Sequence, residues 1–285
     1  VYMRVSDDAG ATTVVEHTWQ VQPIRGSVLL VDDDDSTVDS RDAFFREAMT
    51  TQFGDAWNVI EAVNLRGEPD VFEETFEPFD AIIWYVRRQG PAENLENARE
   101  ALQSYLSTDR DPEAPGIQRP KFYLDWQYVG RPASNGGLND LFRQQYLKVL
   151  ANPREGQIFG VEAVRNEIGP ELDIVADVAG LPDLAYTGAS GPAYFDIWAI
   201  GTPTDAQPLY RFESAVWNAQ RCRNGCEPVV ASRWPRSGAA DVVVISFQIE
   251  LADELGNARQ ALLSIWNDQM GLAPAGARRI GGGGR

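Results

Sequence analysis

The stretch GSVLLVDDDDST, Gly26 to Thr37, decides how the chain is read. An apolar run, Val28 to Val31, passes directly into four aspartates, Asp32 to Asp35, and then into Ser36-Thr37 and a segment with helical spacing. A buried strand feeding a helix has this form, with the acidic turn at the strand's carboxyl end. In open α/β sheets that edge is where ligands bind.

The totals narrow the function classes. With 285 residues and 44% hydrophobic composition the chain can bury a sizeable core. It has no apolar run of 18 residues, so no membrane span is expected. Forty-two acidic residues stand against 25 basic ones, for a net charge of −17, a balance that disfavours nucleic acid and anionic lipid as partners. Lys121 and Lys148 are the only lysines, and His17 is the only histidine. One histidine excludes multi-histidine metal sites and leaves histidine-based triads a single base, far in sequence from any nucleophile.

Two β-rich runs, Tyr2 to Val5 and Thr12 to Val21, flank Asp7-Asp8-Ala9-Gly10 and predict a hairpin. They read as the last strands of an immunoglobulin-like or fibronectin-like domain, or else as strands that pair with the main sheet or with another chain; residues 1–25 are taken as that domain's end plus a linker, and the chain as a processed product or fragment of a longer protein. Residues 26–272 form the main domain. Its expected strands are Val28 to Val31, Trp57 to Val63, Phe79 to Val86, Lys121 to Leu124, Pro228 to Arg233 and Asp241 to Ser246. Its expected helices are Val38 to Gln52, Glu93 to Leu106, Leu138 to Leu150 and Ala258 to Met270. The acidic Gly67 to Pro78 reads as a loop, residues 151–227 as an irregular insertion of loops and short β-like runs at Gln157 to Val161, Asp173 to Val178 and Tyr194 to Ile200, and 273–285 as a flexible tail. Alternating strands and helices predict an α/β fold, a doubly wound, mostly parallel sheet with flanking helices.

Taken in order, VLLVDDD, FDAIIWY (Phe79 to Tyr85), the helix ending Tyr105-Leu106, Pro228 to Ala231, Val242 to Glu250 and the helix with Leu262, Leu263 and Trp266 resemble class I glutamine amidotransferase-like domains. The resemblance is strongest to those attached to immunoglobulin-like modules in large secreted bacterial proteins, and it covers about Ser27 to Leu272. It implies a cysteine nucleophile on a sharp turn after a strand, and a histidine two residues before a glutamate. Here Lys121 to Leu124 runs into Asp125-Trp126-Gln127, and Phe247-Gln248-Ile249-Glu250 stands where that family has Phe-His-Pro-Glu. The glutamate is kept as Glu250, but Gln248 cannot take a proton from a thiol, so amidotransferase chemistry is not expected. LLVDDD also resembles the opening of response-regulator receiver domains, yet the strand ending Trp84-Tyr85-Val86 carries no aspartate and neither lysine follows a late strand.

The candidate binding residues are Asp33, Asp34, Asp35, Trp84, Asp125, Trp126 and Glu250. Aromatic rings beside carboxylates at a sheet edge resemble a sugar-binding cleft, and Asp125 with Glu250 is a candidate pair for hydrolysis; loop packing over the edge is the plainer reading. Asp32, Asp33 and Asp34 are candidate Ca²⁺ ligands, since hard cations take several carboxylates; they equally suit the positive end of the following helix. No other cofactor is expected. Cys222 and Cys226, in CRNGC, read either as a local disulfide around Asn224-Gly225, implying an oxidising compartment, or as two free thiols. The functional expectation is a non-catalytic extracellular, cell-surface or periplasmic module that binds other protein subunits or self-assembles. The alternative is a carbohydrate-active or other hydrolase using the acidic and aromatic cleft.

Overall fold

The computed structural model describes residues 2–6, 12–16, 23–34, 40–62, 69–86, 92–108, 119–131, 133, 137–151, 157–158, 171–187, 197–203, 205–213, 228–236, 239–252, 256–272 and 274. In chain order the strands are β1 (Tyr2–Ser6), β2 (Thr12–Glu16), β3 (Val28–Asp33), β4 (Asn58–Glu61), β5 (Ala81–Val86), β6 (Lys121–Asp125), β7 (Leu150–Ala151), β8 (Gln157–Ile158), β9 (Glu171–Ala176), β10 (Leu184–Thr187), β11 (Ile197–Trp198), β12 (Ile200–Gly201), β13 (Gln207–Glu213), β14 (Val229–Arg236) and β15 (Ala239–Ile245). The helices are α1 (Ser40–Phe53), α2 (Pro69–Phe76), α3 (Glu93–Asn97), α4 (Arg99–Ser107), α5 (Asp140–Phe142) and α6 (Ala258–Ser264). β1 and β2 pair antiparallel with each other.

The main sheet has nine strands in the order β10-β9-β13-β14-β15-β6-β5-β3-β4. Its β4, β3, β5, β6 and β15 are joined by parallel ladders. Its β14, β13, β9 and β10 continue it through antiparallel ladders. The architecture is mixed α/β, and the sheet is evenly divided where a mostly parallel one was expected. The difference comes from the segment read as an irregular insertion: β9, β10 and β13 lie within it and widen the sheet. Of these, β9 overlaps the β-like run expected at Asp173 to Val178, while β10 and β13 were not expected.

Successive side chains of a strand point to opposite faces, and the two cores follow from that. Val28 and Leu30 of β3 join Phe45, Met49, Leu262 and Trp266 on one face. Leu29 and Val31 join Phe72, Phe76, Leu95 and Leu102 on the other. Helices therefore cover both faces, and the central strands β3 and β5 are buried along their whole length.

Three helical expectations are corrected. The acidic segment expected to be a loop holds α2, because Phe72 and Phe76, one turn apart, both reach the core while Glu73 and Glu74 face solvent. The helix expected over Glu93 to Leu106 is two, α3 and α4, parted at Ala98 with φ −79° and ψ 0°. The helix expected over Leu138 to Leu150 is the short α5 and a π-helical turn, Arg143–Leu147, stopped by Lys148 in the left-handed region at φ 56°. Asn139 caps α5 by accepting from the Leu141 and Phe142 amides; Phe142 is buried and Leu141 is 59% exposed. A second π turn, Ile265–Gln269, extends α6.

Gly26 fixes how the chain enters the sheet. A Cβ there would lie 1.8 Å from the Ala56 carbonyl oxygen, so only glycine fits. The Asn58 side chain holds the same place by accepting from the Arg25 amide and donating to the Gly26 carbonyl.

Candidate functional site

The carboxyl ends of β3, β5, β6 and β15 meet at one edge, as expected for the ligand edge of this sheet. At its centre is a residue the sequence reading did not select. Arg41, in the first turn of α1, is 1% exposed and reaches Asp125 at the end of β6, with Nη2 2.5 Å from Oδ1. The same nitrogen donates to the Asp125 carbonyl at 3.3 Å, and Nη1 lies 3.7 Å from Glu250 Oε1. One guanidinium thus stands against both carboxylates of the candidate hydrolytic pair. It also lies 5.7 Å from the Phe45 ring centre and 5.6 Å from that of Tyr85, two rings stacked 4.5 Å apart. Tyr123 donates its hydroxyl to Asp125 Oδ2 at 3.4 Å.

The electrostatics follow from one cation facing two acids in a dry site. Burial pushes the Asp125 carboxyl up to about 7; Arg41 opposes the shift and Glu250 adds to it. Burial alone would lower the Arg41 pKa, but Glu250 and Asp125 outweigh it and hold the guanidinium charged. The Tyr123 phenol is raised, first by burial and then by Asp125. Beside this cluster Gln248, standing where the resemblance calls for a histidine, donates to the Gln127 side chain at 2.8 Å. Both glutamines are 2% exposed.

The aspartate turn divides between other partners. Asp33 accepts from the Trp84 indole at 3.1 Å and from the Asn94 amide at 2.6 Å. Asp32 accepts from the Asp34 backbone amide and pairs with Arg46 at 3.6 Å, and Arg46 also bonds Asp42 one turn before it. Asp34 is half-buried and adds to the negative potential at Arg41. Asp35 lies outside the described residues, as do Cys222, Cys226 and His17. Among the described residues no group of three or more His, Cys, Asp or Glu side chains is arranged to hold a metal ion. Trp84 is 0% exposed and Trp126 1%, so the aromatic residues named from sequence pack the edge and present no open face; Tyr128 beside them is 8% exposed. No helix among the described residues is long and apolar enough to cross a membrane.

Arg41, Tyr123, Asn94 and Gln127 were missed from sequence. A signal for Arg41 exists: it shares a helical face with Phe45, Ala48 and Met49, all fully buried. An arginine on such a stripe must meet a carboxylate.

No family model matches the chain, and no curated protein matches it in sequence. Solved structures do resemble it. A ThuA-like protein from Bacteroides uniformis aligns over 88% of this chain and 95% of its own, at 10% identity and a TM-score of 0.50. The chain has the class I glutamine amidotransferase-like fold of ThuA-like proteins. A second ThuA-like protein, from Parabacteroides merdae, aligns over 90% of this chain and 96% of its own at 11% identity, with a TM-score of 0.46. A cold-adapted β-galactosidase from Rahnella sp. R3 aligns with 87% of this chain through 32% of its own, at 12% identity and 0.44. Identities this low speak for fold alone.

Proposed function

We propose that this chain is a non-catalytic binding or assembly module, a degenerate amidotransferase-like domain that works outside the cytoplasm behind the last strands of an immunoglobulin-like domain. One observation carries the reading: the Arg41 guanidinium occupies the space between Asp125 and Glu250. A hydrolytic carboxylate pair needs room for a bond or a water between its members, and here that room holds a buried cation. The glutamine pair Gln127 and Gln248 adds to this, since neither side chain can serve as general base. The antiparallel pairing of β1 with β2 supports the immunoglobulin-like assignment, because two strands alone are marginal in water. The export assignment rests on the Cys222 and Cys226 spacing and the acidic composition.

A second reading, a hydrolase, draws on the Asp125 carboxyl, whose pKa of about 7 suits a general acid. Glutamine and chromogenic glycosides and esters separate the two. The expected result is no turnover above buffer, together with co-purification of a defined protein partner, or self-association, from the native source. Turnover that disappears in Asp125→Asn overturns the non-catalytic reading.

A further inference from the structure

The end of the parallel strands opposite Asp125 holds a different kind of place. β6 begins at Lys121, about 13 Å from Asp125 at the usual rise of a strand. Its Nζ lies 3.0 Å from Asp241 Oδ1 on the neighbouring β15, and the two side chains are 8% and 7% exposed. Above this pair opens a cleft of about 270 Å³ whose lining includes Ser107, Arg119, Gln145, Tyr146, Trp234 and Asp241.

Trp234 is held in place from three directions. A β-bulge between Trp234 and Pro235 redirects the strand at this residue. Asp205 accepts the indole N–H at 3.0 Å. The Lys148 ammonium lies 4.4 Å from the ring centre and 3.8 Å from that same carboxylate. Lys148 reaches the ring because it sits in the left-handed turn that ends the π-helical segment. The same segment places Gln145 and Tyr146 on the cleft wall. Lys148 itself does not line the cleft, so the ammonium braces the ring without filling the space in front of it.

The chemistry of the wall selects among ligands. Two aromatic side chains, Trp234 and Tyr146, line it, and each ring is also engaged elsewhere, Tyr146 by stacking on Phe142 and Trp234 by the Lys148 ammonium. Arg119, Gln145 and Asp241 offer planar donors and acceptors, and Ser107 a hydroxyl. Asp241 is neutralised by Lys121, and among the described residues Arg119 is the only basic residue on the wall, so neither sign of charge dominates there. A ring with apolar faces and a rim of hydroxyls matches all of this, and a strongly charged ligand does not. The volume lies just below the usual range of ligand sites, about 300–1,000 Å³, so one ring fits inside and a longer chain would continue into solvent.

The geometry points to a binding site for a single neutral sugar residue, stacked on Trp234 and Tyr146 at the amino-terminal end of the parallel strands. This site is independent of the filled carboxyl edge, and it does not rest on the non-catalytic reading.

The test is a nitrogen-15 NMR titration of the full chain with methyl glycosides of glucose, galactose, mannose and N-acetylglucosamine, with glucuronic acid as the charged control. The expected result is saturable movement of the Trp234 indole N–H and the Gln145 and Tyr146 amides with at least one neutral glycoside. Trp234→Leu should weaken that binding about tenfold, the loss of one stacking contact. Gln145→Ala, at an exposed position, should weaken it while leaving the unfolding midpoint unchanged, which keeps the test valid if Trp234→Leu is unstable. No movement with any neutral glycoside overturns the proposal. So does movement confined to Trp84 and Trp126 at the other edge, or saturable binding of glucuronic acid alone.

Discussion

The two ends of β6 each carry a buried ion pair, but the surroundings differ. At the carboxyl end Arg41 faces two acids, Asp125 and Glu250, and all three side chains are at most 3% exposed. At the amino end Lys121 faces one acid, Asp241, under an open cleft. In the first arrangement burial raises the Asp125 carboxyl, with Arg41 opposing and Glu250 adding, which is why a proton is retained on Asp125 toward neutral pH. The second is balanced one to one and keeps a wet side. The same strand therefore closes the edge where this fold places its chemistry and braces a cleft at the edge where it does not.

Removing Arg41 should separate the two ends most. Arg41→Ala strands two buried carboxylates and should cost about 3–5 kcal/mol in urea unfolding. A loss below about 1 kcal/mol would mean that water already reaches Asp125. The next effect is a pH dependence. The Asp125 pKa is 3.8 when unfolded and about 7 when folded, so between these values the folded state keeps a proton that the unfolded state has lost. The stability Asp125 contributes is complete below pH 3.8, falls as pH rises, and is gone above about 7. Subtracting the Asp125→Asn profile should reveal a slope of up to about 1.4 kcal/mol per pH unit in that window. A flat difference would mean that burial does not raise the Asp125 carboxyl.

Lys121→Met should cost less, about 2 kcal/mol, because Asp241 borders the cleft and can recruit water. Replacing both partners together, Lys121→Met with Asp241→Leu, should recover most of that loss, as apolar replacement of a buried pair commonly does. The smallest effect belongs to an exposed pair. Arg259 reaches both Glu47 oxygens at 2.6 Å, yet the two side chains are 42% and 59% exposed. Arg259→Ala should cost under about 1 kcal/mol and become silent in high salt.

The carboxyl end was partly legible in the sequence and the amino end was not. Continuous apolar runs marked β3, β5 and β6; Asp125 was named from its place after a strand and Glu250 from the resemblance of Phe247 to Glu250 to a family motif. Their joint partner was not, because Arg41 follows the acidic turn and looks like a solvated helix start until its phase with Phe45 and Met49 is counted. The amino-end cleft draws on the start of β6, the bulge of β14 and a π-helical turn, and no local pattern announces that these converge. Phe72 and Phe76 were hidden for another reason: acidic neighbours mask a two-residue apolar stripe. In the antiparallel half β14 and most of β9 were legible as Pro228 to Arg233 and Asp173 to Val178, whereas β10 and β13 went unread and the sheet they extend was not expected.

The chain's two lysines are both committed, Lys121 to Asp241 at 8% exposure and Lys148 to the Trp234 ring and Asp205 at 21%. Reagents that couple through lysine amines, including the usual protein crosslinkers, will find little to attach to on this surface. A search for neighbours by crosslinking belongs with carboxylate-activating chemistry, for which the sequence supplies 42 acidic side chains. Modification of Lys148 by an amine reagent would in turn report that the brace behind Trp234 had opened.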